Sequence, residues 1–173
     1  MINPTLQREL FTPGHKLLAI LDGAAAPDLF SKLHSHAPEH VCLYRELPPD
    51  LAETAPYLVG LKRDSQFTQW LFSQGWGKHW GIFVHIKPEI DLKQARKHFR
   101  TFSMVELPDG RSQNFRFYDP IILRDYLPAC NGEETQTVFG PVFAYFVEGD
   151  ATNRAIRFTL NKGLPYEETI RLD

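Results

Sequence analysis

Between Asp91 and Leu127 the apolar spacing changes from helical to alternating and back to helical, and this constrains the fold more than any other stretch. The run reads DLKQARKHFRTFSMVELPDGRSQNFRFYDPIILRDYL. Leu92, Ala95, Phe99 and Phe102 recur at i, i+3, i+7 and i+10, one apolar stripe of a helix. Asp91 caps its start, and Lys97, His98 and Arg100 suit the dipole in its second half. Val105 and Leu107 then point one way, Pro108-Asp109-Gly110 turns the chain, and Phe115 and Phe117 alternate on a return strand. Asn114, Arg116 and Tyr118 fall on the opposite face of that strand. Asp119-Pro120 opens a second helix, with a carboxylate for the free amides and a proline that lacks only a dispensable N–H. Leu123, Tyr126 and Leu127 form its stripe, and Pro128 helps to end it. The expected unit is a helix, a β-hairpin and a helix, with Arg100, Arg116 and Asp119 in one polar cluster.

The chain around this unit alternates strand and helix. Met1 to Gly14 reads as a polar lead-in. KLLAIL (Lys16 to Leu21) is a continuous apolar run, as in a strand covered on both faces. Asp22-Gly23 turns, and Pro27-Asp28 starts a short helix carrying Leu29, Phe30 and Leu33. Val41 to Leu47 is a second strand, Pro48 to Ala55 a short helical segment, and Pro56 to Leu61 a third strand. Asp64 or Ser65 caps a helix with Phe67, Trp70 and Leu71 inward, and Gly75 is placed as its left-handed terminator. His79 to Ile86 is a fourth strand, which puts His79 and His85 on one face. After a polar loop, Asn131 to Thr137, come strands Val142 to Gly149 and Arg154 to Leu160, joined by a tight turn. Asn161 to Asp173 carries no firm signal. Alternation predicts a partly parallel sheet in the first half, and hairpins predict antiparallel pairing in the second. The expected class is mixed α/β or α+β: one domain over residues 1–173, a mixed sheet with covering helices, hairpin-rich in its second half.

The 173 residues are enough to bury a core without staples. Hydrophobic content of 43% and charged content of 23% are those of a folded soluble protein, while aromatics at 13% favour a large core or an aromatic contact surface. A formal charge of −2 gives no footprint for nucleic acid or acidic membrane. Lys62-Arg63 and Arg96-Lys97 are too short to form basic patches, and the second reads as a solvated helix face. Cys42 and Cys130 form no metal-binding spacing. The N-terminus lacks a signal-peptide pattern, and no window approaches the roughly 20 apolar residues of a membrane span. A cytoplasmic, reduced protein is expected.

Chemistry-bearing residues are present but loosely arranged. His34, His36, Glu39 and His40 have the side chains of a metal site without a recognised spacing. The Gly75–Gly81 stretch follows a helix and precedes a strand, the wrong order for a phosphate cradle. It reads as a turn packed by Trp76 and Trp80, or as an exposed aromatic patch for a partner. His79, His85 and His98 lack a recognisable nucleophile motif in their company. Arg116 lies between aromatics and needs a partner if covered; Asp119 is the nearest charge in sequence.

The ordered series LDGA (Leu21 to Ala24), LYREL (Leu43 to Leu47), APYLVGL (Ala55 to Leu61), GWGKHWGI (Gly75 to Ile82), KHFRTF (Lys97 to Phe102), LPDG (Leu107 to Gly110), FRFYDP (Phe115 to Pro120), Leu127-Pro128 and FGPV (Phe139 to Val142) resembles the bacterial type VI secretion effector adaptor, or chaperone, family. The resemblance spans roughly residues 17–147. It implies a non-enzymatic protein without a cofactor or metal, which binds a cognate toxic effector in the cytoplasm and helps load it onto the VgrG spike. Family members commonly carry a further, largely helical C-terminal region. His98, Arg100, Arg116, Tyr118, Asp119 and Pro120 stand in the most characteristic segments. With Trp76, Trp80 and Asn114 added and Pro120 set aside, they form the expected partner-contacting set. The alternatives are a small metal-dependent hydrolase using His34, His36 and His40, or His85 and His98, and a toxin-binding immunity protein.

Overall fold

The computed structural model describes residues 2–173. Its frame is a seven-stranded sheet in which β1 (Lys16–Asp22) lies between β3 (Pro56–Gly60) and β4 (Gly81–Ile86). The short β2 (His40–Cys42) forms one edge beside β3. On the other side, β7 (Val142–Glu148), β8 (Arg154–Asn161) and β9 (Leu164–Arg171) follow β4 in order. The α+β class holds, but every pairing among the described residues is antiparallel, so the partly parallel sheet expected from alternation is not formed. The reason is topological. β3, the helix α3 (Gln66–Gly75) and β4 do form a parallel crossover, but β1 occupies the space between the two strands and pairs with both.

The continuous apolar run of β1 follows from this position. Leu17, Ala19 and Leu21 face one core, and Leu18 and Ile20 face the other. The first core is closed by α1 (Pro4–Leu10), α2 (Leu29–Ser35) and α3, through Leu6, Leu10, Leu33, Phe67 and Leu71. The second is closed by α4 (Leu92–Arg100), α5 (Pro120–Tyr126) and α6 (Gly132–Phe139), through Leu92, Phe99, Leu123, Val138 and Phe139. Each helix in the second set starts at a capping side chain. Asp91 and Asn131 each complete a capping box, and Asp119 accepts from the amides of Ile121 and Ile122.

Several sequence expectations need correction. Residues 4–10 form a helix rather than a lead-in, and residues 132–139 form a helix rather than a polar loop. The tail supplies β9, whose side chains are mostly exposed and so lack an apolar alternation to read. Strand 41–47 shrinks to residues 40–42. Gly75 ends α3 without a left-handed conformation; Gly77, with φ 86°, takes that role. The hairpin β5 (Met104–Glu106) and β6 (Ser112–Asn114) is a separate two-stranded ribbon, exposed at all six residues. Val105 therefore does not face the core. Phe117 does, stacked on Phe99 at 5.7 Å between ring centres, but from the turn after β6.

This division predicts unequal costs. Phe99→Ala is expected to lose about 3–5 kcal/mol in urea unfolding, because its buried ring leaves a cavity. Val105→Ala is expected to change stability by no more than about 0.5 kcal/mol.

Candidate functional site

A cleft of about 510 Å³ opens where the segment after β2 meets the end of α4 and the base of the hairpin. Leu43, Tyr44, Arg45 and Glu46 form one wall, and Met104, Asn114 and Phe115 form the hairpin side. Arg100, Ser103 and Tyr118 complete its lining. Arg100 secures the first wall: its Nε donates to the Leu43 carbonyl at 2.6 Å, and an Nη donates to the Tyr44 carbonyl. The half-buried guanidinium thereby pins the segment that leaves β3 after the Leu43 amide donates to the Pro56 carbonyl at 2.9 Å. Burial lowers the pKa of Arg100, and the charges of Arg96 and Arg45 lower it further.

Behind the cleft stands an ion pair that joins distant parts of the chain. Arg116 donates to Asp22 at the end of β1, across 94 residues of sequence. The Asp22 carboxylate is buried, while Arg116 is half exposed. The other Asp22 carboxylate oxygen accepts from the amide of Ala24 at 3.0 Å. The Asp22 hydrogen bond raises the Arg116 pKa. Tyr118 lies beside the pair, and its phenol is pushed well above the ordinary value, first by burial and then by the neighbouring Tyr44 and Asp22.

The predicted polar cluster is thus replaced. Arg116 pairs with Asp22 rather than Asp119, which is occupied as the cap of α5. Arg100 bonds to backbone carbonyls in another segment. Tyr118 does not share an exposed strand face with Asn114 and Arg116, because β6 ends at Asn114 and Tyr118 is buried. Of the expected contact residues, Arg100, Asn114 and Tyr118 meet in the cleft. His98 does not reach it; its Nε2 bonds to the Val138 carbonyl at 2.9 Å and its ring packs on Phe99 and Phe102.

Trp76 and Trp80 lie elsewhere and are committed to packing. Trp76 donates to the Thr152 carbonyl at 2.9 Å and packs near Phe72 and Phe83. Trp80 is buried against Trp70, with ring centres 5.4 Å apart. His79 is not on β4; it sits before it at φ 57°, and its amide donates to Glu148 at 3.0 Å. Burial raises the pKa of Glu148 despite that bond.

The histidines meet only in pairs: the His34 and His40 rings lie 6.2 Å apart, and His15 stacks on His85 at 5.1 Å. His34 and His40 bond to the nearby carbonyls of Phe30 and Pro38. Among the described residues, no three His, Cys, Asp or Glu side chains are grouped to hold a metal ion. His85 bonds to the Leu10 carbonyl at 2.6 Å within the first core, whereas His98 packs in the second. The sheet separates them, so they cannot act on one substrate atom.

Large apolar residues are also exposed away from the cleft. Phe143, Leu160, Leu164 and Tyr166 are each 46–51% exposed on β7 and the β8–β9 ribbon, with Leu164 and Tyr166 on one face of the ribbon and Leu160, opposite Pro165, on the other. Phe143 and Leu160 border a hollow of about 410 Å³ whose floor includes the stacked His15 and His85. A further hollow of about 490 Å³ lies on the α1 side, between Phe11, Leu17 and Leu61, and holds none of the expected partner-contacting residues. No helix among the described residues is long and apolar enough to cross a membrane.

A protein-family model, "Domain of unknown function (DUF4123)", matches residues 17–137. No curated protein matches, and no solved structure matches. All residues lining the cleft, and both members of the Asp22–Arg116 pair, fall inside the matched region; Phe143, Leu160, Leu164 and Tyr166 fall outside it.

Two measurements check this geometry. In a double-mutant cycle, Asp22→Asn with Arg116→Ala should show a coupling above about 0.5 kcal/mol, and Asp119→Ala with Arg116→Ala a coupling below it. Asp119→Ala alone should cost about 1 kcal/mol as a lost cap. Burial also lowers the pKa of His85 and His98 from the ordinary 6.5. The unfolded chain then binds more protons at mildly acidic pH, so stability is full above about 6.5 and falls as pH drops below it. Urea titrations at descending pH should show that fall, and His98→Gln, which keeps a donor for Val138, should make it shallower.

Proposed function

The chain belongs to the DUF4123 family of type VI secretion effector chaperone and adaptor domains, and we propose that it holds a toxic effector in the producing cell's cytoplasm and helps load it onto the VgrG spike. The carrying observation is that the cleft lies wholly within the part of the chain that defines the family. A role common to the family is served by a site in its common part, so the cleft is assigned to the effector. The exposed apolar face of the ribbon that carries Leu164 and Tyr166 is assigned to the second partner, the spike. The cleft lies toward the β2 edge of the sheet and the ribbon forms the other edge. With strands about 4.8 Å apart, six steps separate the edges by roughly 29 Å, enough for two proteins to be held at once.

The mechanism is mass action. Binding stabilises the loading-competent state of the effector and raises its concentration beside the spike. Arg100, Asn114 and the edge of Tyr118 contribute contacts in the cleft, with Arg116 at the base of the hairpin. Trp76, Trp80, His98 and Asp119 support the fold behind these surfaces rather than touching a partner.

The test is a pull-down of tagged protein from its native host while the secretion system is active, with bound proteins identified by mass spectrometry. A toxin and a VgrG-type spike protein are expected; recovery of neither overturns the proposal. Asn114→Ala with Met104→Asp should lose the effector and keep the spike, whereas Leu164→Asp with Tyr166→Ala should do the reverse. Both residue pairs are exposed, so melting temperatures should stay at the wild-type value.

A further inference from the structure

Beside the cleft lies a hollow of about 310 Å³ lined by Arg45, Lys93, Arg96, Lys97, Arg100 and Thr101. It contains five cations and no carboxylate. It shares Arg45 and Arg100 with the cleft, whose lining holds one carboxylate, Glu46. The cause is partly helical spacing. Lys93, Arg96, Lys97 and Arg100 stand at i, i+3, i+4 and i+7 of α4, which places them on one side of the helix. The segment after β2 then brings Arg45 to the same place.

Among the described residues, Arg45, Lys93, Arg96 and Lys97 form no ion pair within 4.0 Å, although other surface arginines do. Like charges at this spacing weaken a helix rather than support it. The strain is registered at Arg100, whose charged form is disfavoured by Arg96 and Arg45 after the larger effect of burial. The chain as a whole carries −2, so the cluster runs against the net charge. Next to it the cleft is mainly apolar, with Leu43, Met104 and Phe115 in its wall.

We infer that the joined cleft and hollow receive a segment of the effector in which acidic residues stand next to an apolar or aromatic anchor. The inference rests on the adaptor reading for the identity of the occupant, and on the charge and shape of the trough for its chemistry. The anchor enters between Leu43, Met104 and Phe115. The carboxylates meet Arg45, Arg96 and Lys97. Arg100 contributes charge but not its full set of donors, because two are committed to the Leu43 and Tyr44 carbonyls. A polymeric anion alone satisfies the cations and leaves the apolar cleft empty; an apolar peptide alone leaves the cations unpaired. A segment with both features uses both halves.

The experiment selects a phage-displayed library of random short peptides on the whole protein and, in parallel, on Arg45→Glu/Lys97→Glu. Both altered residues are exposed, so the fold should persist, with melting temperature as the check. Enrichment of acidic residues beside a Leu, Phe or Trp on the wild type, and its loss on the variant, is the expected result. A labelled synthetic copy of the best peptide should bind at least about tenfold more weakly to the variant. Its affinity should also fall as salt rises toward about 1 M, where the Debye length shrinks to roughly 3 Å. Neutral or basic consensus sequences, or acidic ones retained on the variant, overturn the inference. So does tighter binding at the same residues by a single-stranded DNA oligomer or by phosphatidylserine vesicles. In the donor cell, equal capture of the effector by wild type and variant overturns the inference and leaves the adaptor reading intact. Capture of no effector by the wild type overturns the adaptor reading and with it the identity of the occupant, while the peptide selection still decides the chemistry of the trough.

Discussion

Strand β1 has no solvent face, and the rest of the molecule is arranged around that constraint. Its backbone groups are paired with β3 on one side and β4 on the other. Its side chains alternate between two cores, and residues 17–22 are all buried. A strand so placed needs helices on both faces. The chain supplies three before and between β1, β3 and β4, and three between β4 and β7. Close packing reaches the backbone itself. A Cβ on Gly81 would stand 2.1 Å from the Ile20 carbonyl oxygen, so glycine is the residue that lets β4 lie against β1 there.

The end of β1 links this frame to the surface. Asp22 is buried, and its charge is met by Arg116 from the far side of the hairpin unit. A buried carboxylate without that partner carries a full desolvation cost, so the pair fixes the turn after β6 to the sheet. Phe117 and Tyr118 are drawn inward with it. Tyr118 then becomes a wall of the cleft, and Arg100 holds the opposite wall through two carbonyls. Core, ion pair and cleft are therefore consecutive consequences of one packing arrangement.

Electrostatics at the cleft differ in sign from the chain. Net charge counts residues without regard to position, and it correctly excludes a protein-wide basic field. A local cluster needs only a few side chains on one helix face and one more from another segment. Screening limits its reach to about 10 Å at moderate salt, so it can select a short segment without steering a large polyanion.

How much was legible in the sequence follows from the range of each interaction. Caps act within four residues, and Asp91, Ser65 and Asp119 could be read directly, as could the apolar runs of β1, β3, β4 and β7. The helices at 4–10 and 132–139 were missed because short, polar-rich helices show little periodicity, although Asn131 with Glu134 is a capping box in plain view. β9 was missed because an exposed edge strand has no buried face to mark it. The sequence by itself determined the two-sided strand β1, the helix starts at Ser65, Asp91 and Asp119, the α+β class and the ordered motifs that carry the family resemblance. Only the tertiary structure decided that β1 splits the crossover, that Asp22 rather than Asp119 meets Arg116, and that Arg45 joins the cations of α4. These three depend on contacts between residues far apart in the chain, and no local spacing encodes which distant partner a strand or a charge will find.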